Sequence, residues 1–242
     1  MLISCARQRG MALMLVLWLL AALSLVVAGV VATQRIEGRQ GHGELQRSQA
    51  LLAAEGGVAL VVNELLRNPD HYVANGQHYP VTLDGVTLAL SIRSEHGKLD
   101  LNFGNLDYFA RFFRAMGASA NDADRWASQM RERRDLGEPL HHFEDLLTVT
   151  SMDTVLYKRI LPYLTLWGGD GVPVGAYADP VLSQALDLPK EQMLAGNPGS
   201  VVGIDVQATL ADGFVAGLMT TVLLMPEGSN GEVFRVLKWH ER

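Results

Sequence analysis

The side chains with the most chemical potential in this 242-residue sequence are few. His141-His142 stands beside Glu144 and Asp145, a donor set able to ligate a metal. Adjacent histidines point apart on a helix, and acids at a helix start favour its dipole. The cluster therefore reads as a helix N-terminus. Asp122 and Asp124 beside Asn121 offer oxygens to calcium. They lack the glycine and bidentate glutamate of a dedicated loop, so Asn121 or Asp122 reads as a helix cap. Gly41-x-Gly43 follows no strand and is no dinucleotide fingerprint. No Gly-x-Ser-x-Gly elbow, phosphate loop or His-Glu-x-x-His is present in the sequence. The single Cys5 excludes an intrachain disulfide and a cysteine-cluster metal site. No catalytic residue, metal or cofactor is expected. The formal charge of −6 leaves no basic surplus to meet phosphates, so no nucleic-acid partner is expected either.

The chemistry that remains lies at the N-terminus. Met11 to Ala32 carries no charge and is rich in Leu, Val and Ala. As a helix it would be roughly 33 Å long, against a hydrocarbon core of about 30 Å. A cleavable signal peptide has an apolar stretch of only about 7–15 residues. Arg7 and Arg9 precede the run without an acid. By the positive-inside rule residues 1–10 stay cytoplasmic and the C-terminal bulk is exported. Gly10 stands directly before the apolar helix, where its backbone freedom suits a peptidase site. This junction resembles the leaders of prepilins. That resemblance implies cutting between Gly10 and Met11 by a prepilin peptidase, then N-methylation of Met11. Prepilins usually carry Glu at the fifth mature position, which is Leu15 here. A carboxylate in lipid must find a cation, in pilins the amine of a neighbouring subunit. A subunit with Leu15 suits a place with no subunit ahead of it, the filament tip.

The elements behind these residues predict an α+β fold: a long N-terminal transmembrane helix packed on a small antiparallel sheet, with a large α-helical domain inserted between strands. Gly38, Gly41 and Gly43 predict a kink or frayed stretch, each costing about 1 kcal/mol in a helix. Leu45, Leu52, Ala59 and Leu66 recur every seven residues, widened by Leu60 and Val62, and this stripe is expected to pack on the sheet. Strands are predicted at Tyr79–Leu83, Val86–Arg93 and Lys98–Asn102, the first two joined by Asp84-Gly85. Three more follow at Val201–Leu210, Phe214–Met225 and Glu232–Trp239, with a turn at Gly228–Gly231. Between them Leu106, Phe109, Phe112, Phe113 and Met116 form one helix face and Ala123, Trp126, Ala127 and Met130 another. His142–Leu147 and Met152–Leu164 read as two further helices. The expected organisation is a leader at 1–10, a membrane helix at 11–32 and its periplasmic continuation at 33–70. The sheet subdomain takes 71–102 and 198–242, and the helical insertion 103–197.

In this order the phrases resemble the K-class minor pseudopilins of type II (general) secretion. Gly97-Lys98-Leu99-Asp100-Leu101-Asn102 matches the phrase that opens the family's helical domain, with Asp100 for Asn. Met116-Gly117 matches a helix break, and Glu132-Arg133-Arg134-Asp135 the end of the next helix, with Arg133 where Trp is usual. Asp145–Met152, Tyr157–Thr165 and the closing Val236-Leu237-Lys238-Trp239 match later phrases. The family's acidic, calcium-associated insertion shrinks here to Leu136-Gly137-Glu138-Pro139, which argues against calcium. Val174–Ala178 also departs from the family pattern. Leu147-x-Val149-x-Ser151-Met152 resembles a helix-hairpin-helix turn, read here as packing architecture.

The resemblance implies a non-enzymatic subunit at the tip of the periplasmic pseudopilus, supporting export of folded proteins across the outer membrane. Its expected partners are the I- and J-class minor pseudopilins, the pseudopilus, the prepilin peptidase and the inner membrane. It would cross that membrane once, with its globular part in the periplasm. The rival readings are a type IV pilus minor pilin, which usually keeps the fifth-position Glu, and a membrane-anchored periplasmic enzyme or binding protein.

Overall fold

The computed structural model describes residues 8–69, 71–189, 198–225 and 232–242, and within the first helix the side chains of 13–27 and 41–67. The elements are α1 (Gln8–Arg67), β1 (Asn75–Leu83), β2 (Val86–Ser94), β3 (Leu99–Asp100), α2 (Leu106–Ala115), α3 (Ala120–Asp135), α4 (Asp145–Thr150), α5 (Thr154–Ile160), β4 (Leu164–Thr165), α6 (Pro180–Leu186), β5 (Val201–Thr209), β6 (Val215–Leu224) and β7 (Phe234–Glu241). Two compact units divide the chain, residues 1–49 and 50–242. In the first, every described residue is helical.

In the second unit an antiparallel sheet runs in the order β1-β2-β5-β6-β7. β1 and β2 turn on Asp84 and Gly85, both left-handed (φ 48° and 81°), as a two-residue hairpin turn requires. Alternation along the strands puts Leu88, Leu90, Ile92, Ile204, Val206 and Val222 on one face. They are buried there against Ala50, Ala54, Val58, Val61, Val62 and Leu65 of α1. Gly57 permits the close approach: a Cβ there would stand 3.0 Å from Val206 Cγ1 and 3.1 Å from Leu88 Cδ1.

Between β2 and β5 the chain builds the helical insertion, so the expected α+β class holds. Its core is aromatic where the sheet's is aliphatic, with Phe109, Phe112, Phe113, Trp126, Met130 and Ile160 buried together. The predicted inward faces of α2 and α3 are the observed ones.

Four expectations are corrected. The stretch at Gly38, Gly41 and Gly43 is helical rather than frayed, the apolar run on one side and the sheet-docked turns on the other outweighing the glycines' propensity. The strand around Lys98–Asn102 does not join the sheet. Only Leu99–Asp100 is extended, paired in parallel with β4, and Leu99 and Leu101 are buried in the helical core. α4 begins at Asp145 rather than His142, because the Asp145 carboxylate accepts the backbone N–H of both His141 and His142 and holds that stretch as a turn. α5 begins at Thr154, capped by Asp153, and gives way after Ile160 to a 3-10 turn containing Pro162. The predicted turn at 228–231 lies outside the described residues.

Candidate functional site

Gly10 and Met11 fall in the first turn of α1, and their side chains lie outside those described. Leu15 is two-thirds exposed. From Leu13 to Val27 every side chain is exposed, so this 15-residue, nearly all apolar stretch is uncovered by the described residues. Such a helix needs apolar surroundings. The remainder of the expected 11–32 span lies among side chains that are not described. By length and composition the one helical stretch able to cross a membrane among the described residues is 41–67. Its buried side is already committed to the sheet, so we read it as a core helix.

That commitment also corrects the predicted stripe. Leu45 and Leu52 are 55% and 65% exposed and Ala59 is exposed, whereas Ala50, Ala54, Val58 and Val61 take the sheet face. Leu45, Leu52 and Ala59 thus stand outside the sheet's core, whereas Leu60, Val62 and Leu66 pack on it as expected. Leu66 and Leu60 stand half-buried at its margin, and Val62 is buried. Small residues win the inner face because the helix axis lies close to the strands, where Gly57 leaves no room for a longer side chain. Leu45, Leu52 and Ala59, exposed at a seven-residue spacing, form a seam without a partner among the described residues.

The helical insertion is stapled to its frame by the phrase at 97–102. Gly97 is obligatory for space, since a Cβ would stand 2.3 Å from the carbonyl oxygen of Tyr177. Asp100 is buried. Its Oδ1 accepts N–H bonds from Asn102 (2.7 Å) and Phe103 (2.9 Å), and its Oδ2 one from Gly169 (2.8 Å). Three backbone donors satisfy a carboxylate where an amide would offer only one acceptor oxygen, which accounts for Asp in place of Asn. Asn102 makes a two-way bond with the backbone of Leu140, its Nδ2 donating at 3.0 Å and its Oδ1 accepting at 2.7 Å. Arg134 donates to the carbonyls of Gly104 (2.7 Å) and Leu101 (2.9 Å) and lies 5.5 Å from the centre of the Phe109 ring. Burial pushes its guanidinium pKa down, opposed by the charge of Asp100. Glu95 is buried with its Oε1 2.5 Å from Lys98 Nζ, and the carbonyl of His96 accepts the N–H of Val174 from the altered 174–178 stretch.

The other candidates are spoken for by local structure. Ser119, not Asn121 or Asp122, caps α3: its Oγ accepts the Asp122 N–H and donates to Asp122 Oδ2. That bond, with the Arg125 ion pair, holds the Asp122 carboxyl below its usual range. Asp124 meets Arg114 at 3.3 Å. The bonds from His142 and His141 likewise lower the Asp145 pKa. Among the described residues no three His, Cys, Asp or Glu side chains are gathered to hold a metal. Ser151 turns between α4 and α5 with φ 51°, its N–H donating to Leu147 O, so the 147–152 phrase is a helix hairpin.

No protein-family model and no curated protein matches the sequence. The fold does match. A chain in the crystal structure of the GspK-GspI-GspJ complex from the enterotoxigenic Escherichia coli Type 2 Secretion System superposes with a TM-score of 0.61 at 13% identity, over 84% of this chain and 99% of that one. At that identity the likeness is one of fold, and it is the fold that the sequence phrases led us to expect.

Proposed function

We propose that this chain is a K-class minor pseudopilin, a non-enzymatic subunit of a type II secretion pseudopilus. The observation that carries the reading is the shared fold with a chain of the GspK-GspI-GspJ complex, over 84% of this chain. Residues 1–10 form the leader, removed by the prepilin peptidase between Gly10 and Met11, and Met11 is then N-methylated. Residues 11–32 anchor the mature protein in the inner membrane, with 33–70 and the globular part in the periplasm.

The exposed apolar side chains of α1 give the assembly its free energy. Leu13–Val27 suits lipid and neighbouring membrane helices, and the Leu45/Leu52/Ala59 seam extends that packing beyond the bilayer. I- and J-class subunits are the partners on this seam. Leu15 lacks the carboxylate that would pair with the amine of a subunit ahead, which suits the chain to the tip. The insertion at 103–197 stands as a cap over it, supporting export of folded proteins. The work of extension comes from outside this chain, which carries no nucleotide-binding phrase.

Mass spectrometry of the N-terminus of the membrane-extracted protein tests the reading. An N-methylated Met11 is expected, and an intact Met1 refutes it. Leu15→Glu separates the rival pilin role: it should impair secretion here, while a piliation defect with normal secretion favours a type IV pilus.

A further inference from the structure

β7 ends the sheet, and no described strand lies on its outer side. Its two faces are unlike. Residues opposite one another in a ladder share a face. Val236 stands opposite Val222 and Trp239 opposite Thr220, which puts both on the α1 side of the sheet. Yet they are 42% and 44% exposed while Val222 and Thr220 are buried, so the cover over β6 stops short of β7. On the other face stand Arg235, Lys238 and His240, opposite Leu223, Thr221 and Met219. Among the described residues Arg235 meets an exposed Glu232, at 3.9 Å. The Lys238 amine lies 4.9 Å from the centre of the Phe143 ring.

Lys238 also rims a cleft of about 350 Å³ between the sheet and the insertion, walled by Phe143, Tyr163 and Trp167. Arg93, Gly203, Thr221 and Lys238 form one cross-strand row, a notch with a cation at each end and no side chain at Gly203. Arg242 exchanges both backbone bonds with Gly217 (2.9 and 2.8 Å). By antiparallel alternation the backbone N–H and C=O of Trp239 then point outward, off the sheet.

The geometry points to β7 as a docking edge for an extended segment of a partner protein whose residues alternate apolar and acidic. Laid beside β7, such a segment continues the ladder through Trp239. Its apolar side chains cover Val236 and Trp239, and its carboxylates meet Arg235, Lys238 and His240. A second copy is a poor occupant. β7 against β7 sets Arg235 and Lys238 among like charges, and the opposite edge, β1, carries no acid and has Pro80 without an N–H. Docking at this edge does not depend on the assembly role proposed above.

The test uses the full chain in detergent and two fluorescein-labelled ten-residue peptides, one alternating Val with Glu, the other Val with Lys. The Glu peptide should bind saturably and the Lys peptide should not. Reversing Arg235→Glu and Lys238→Glu together should weaken the Glu peptide at least tenfold and admit the Lys peptide. Lys238→Ala, the milder change, should weaken the Glu peptide severalfold. In the unaltered protein the Trp239 amide should exchange its hydrogen at least tenfold more slowly with the Glu peptide bound. Equal binding of both peptides, no binding by the folded chain, or binding without protection of Trp239 each overturns the proposal.

Discussion

The two sides of α1 between Leu45 and Leu66 both carry apolar residues, and these do opposite things. The side against the sheet is built from Ala50, Ala54, Gly57, Val58 and Val61, small enough for the helix to sit close on β2, β5 and β6. The other side carries the larger Leu45 and Leu52 and leaves them exposed. Intrachain packing consumes the small residues because close approach maximises contact per residue. The leucines are a surplus, and burying even one against a partner contributes roughly 1.5–3 kcal/mol. On the proposed reading one helix serves two interfaces, one within the subunit and one between subunits.

Breaking the inner side should have the largest effect. Val61→Asp buries an unpaired charge under the sheet and should destabilise the second compact unit by about 4 kcal/mol or more, read as a lowered denaturation midpoint. Leu65→Ala on the same side opens a cavity and should cost about 2–4 kcal/mol in the same assay. Leu52→Glu on the outer side should change stability by less than about 0.5 kcal/mol while abolishing co-purification with the other minor pseudopilins. The smallest effect is expected in the insertion, away from both sides. The lowered pKa of Asp145 means that its contribution is present above the ordinary carboxylate range and lost as pH falls through its folded-state value. Asp145→Asn should therefore lie slightly below the unaltered protein in stability at neutral pH and converge with it in acid, followed by thermal unfolding across a pH series.

Much of this architecture is legible in the residues. Alternation in β5, the long apolar run of β6 and the Asp84-Gly85 turn specify the sheet, and the Phe and Trp spacing of α2 and α3 specifies their inner faces. The inner side of α1 is not legible from periodicity, because a heptad of leucines outscores a row of Ala and Gly although only the small residues permit close approach. The staples of the insertion are silent for another reason. Asn102 meets Leu140, and Arg134 meets Leu101 and Gly104, through side-chain-to-backbone bonds across 30 or more residues, which leave no local pattern. The cap of α3 did carry a signal, Ser119 three residues before Asp122, a spacing like that of a capping box. At the N-terminus the junction of Arg9, Gly10 and Met11 is legible only as a sequence, since its side chains fall outside those described.

The central claim is that the outward seam of α1 is an interface between subunits. A photo-crosslinking residue placed at position 52 in the full chain, expressed with its secretion partners, tests it most directly, with a second placed at the exposed Asp84 turn as the reference. The account predicts a covalent product with another minor pseudopilin from position 52 and none from position 84. Capture from position 84 alone, or from neither position in a chain that supports secretion, would contradict it.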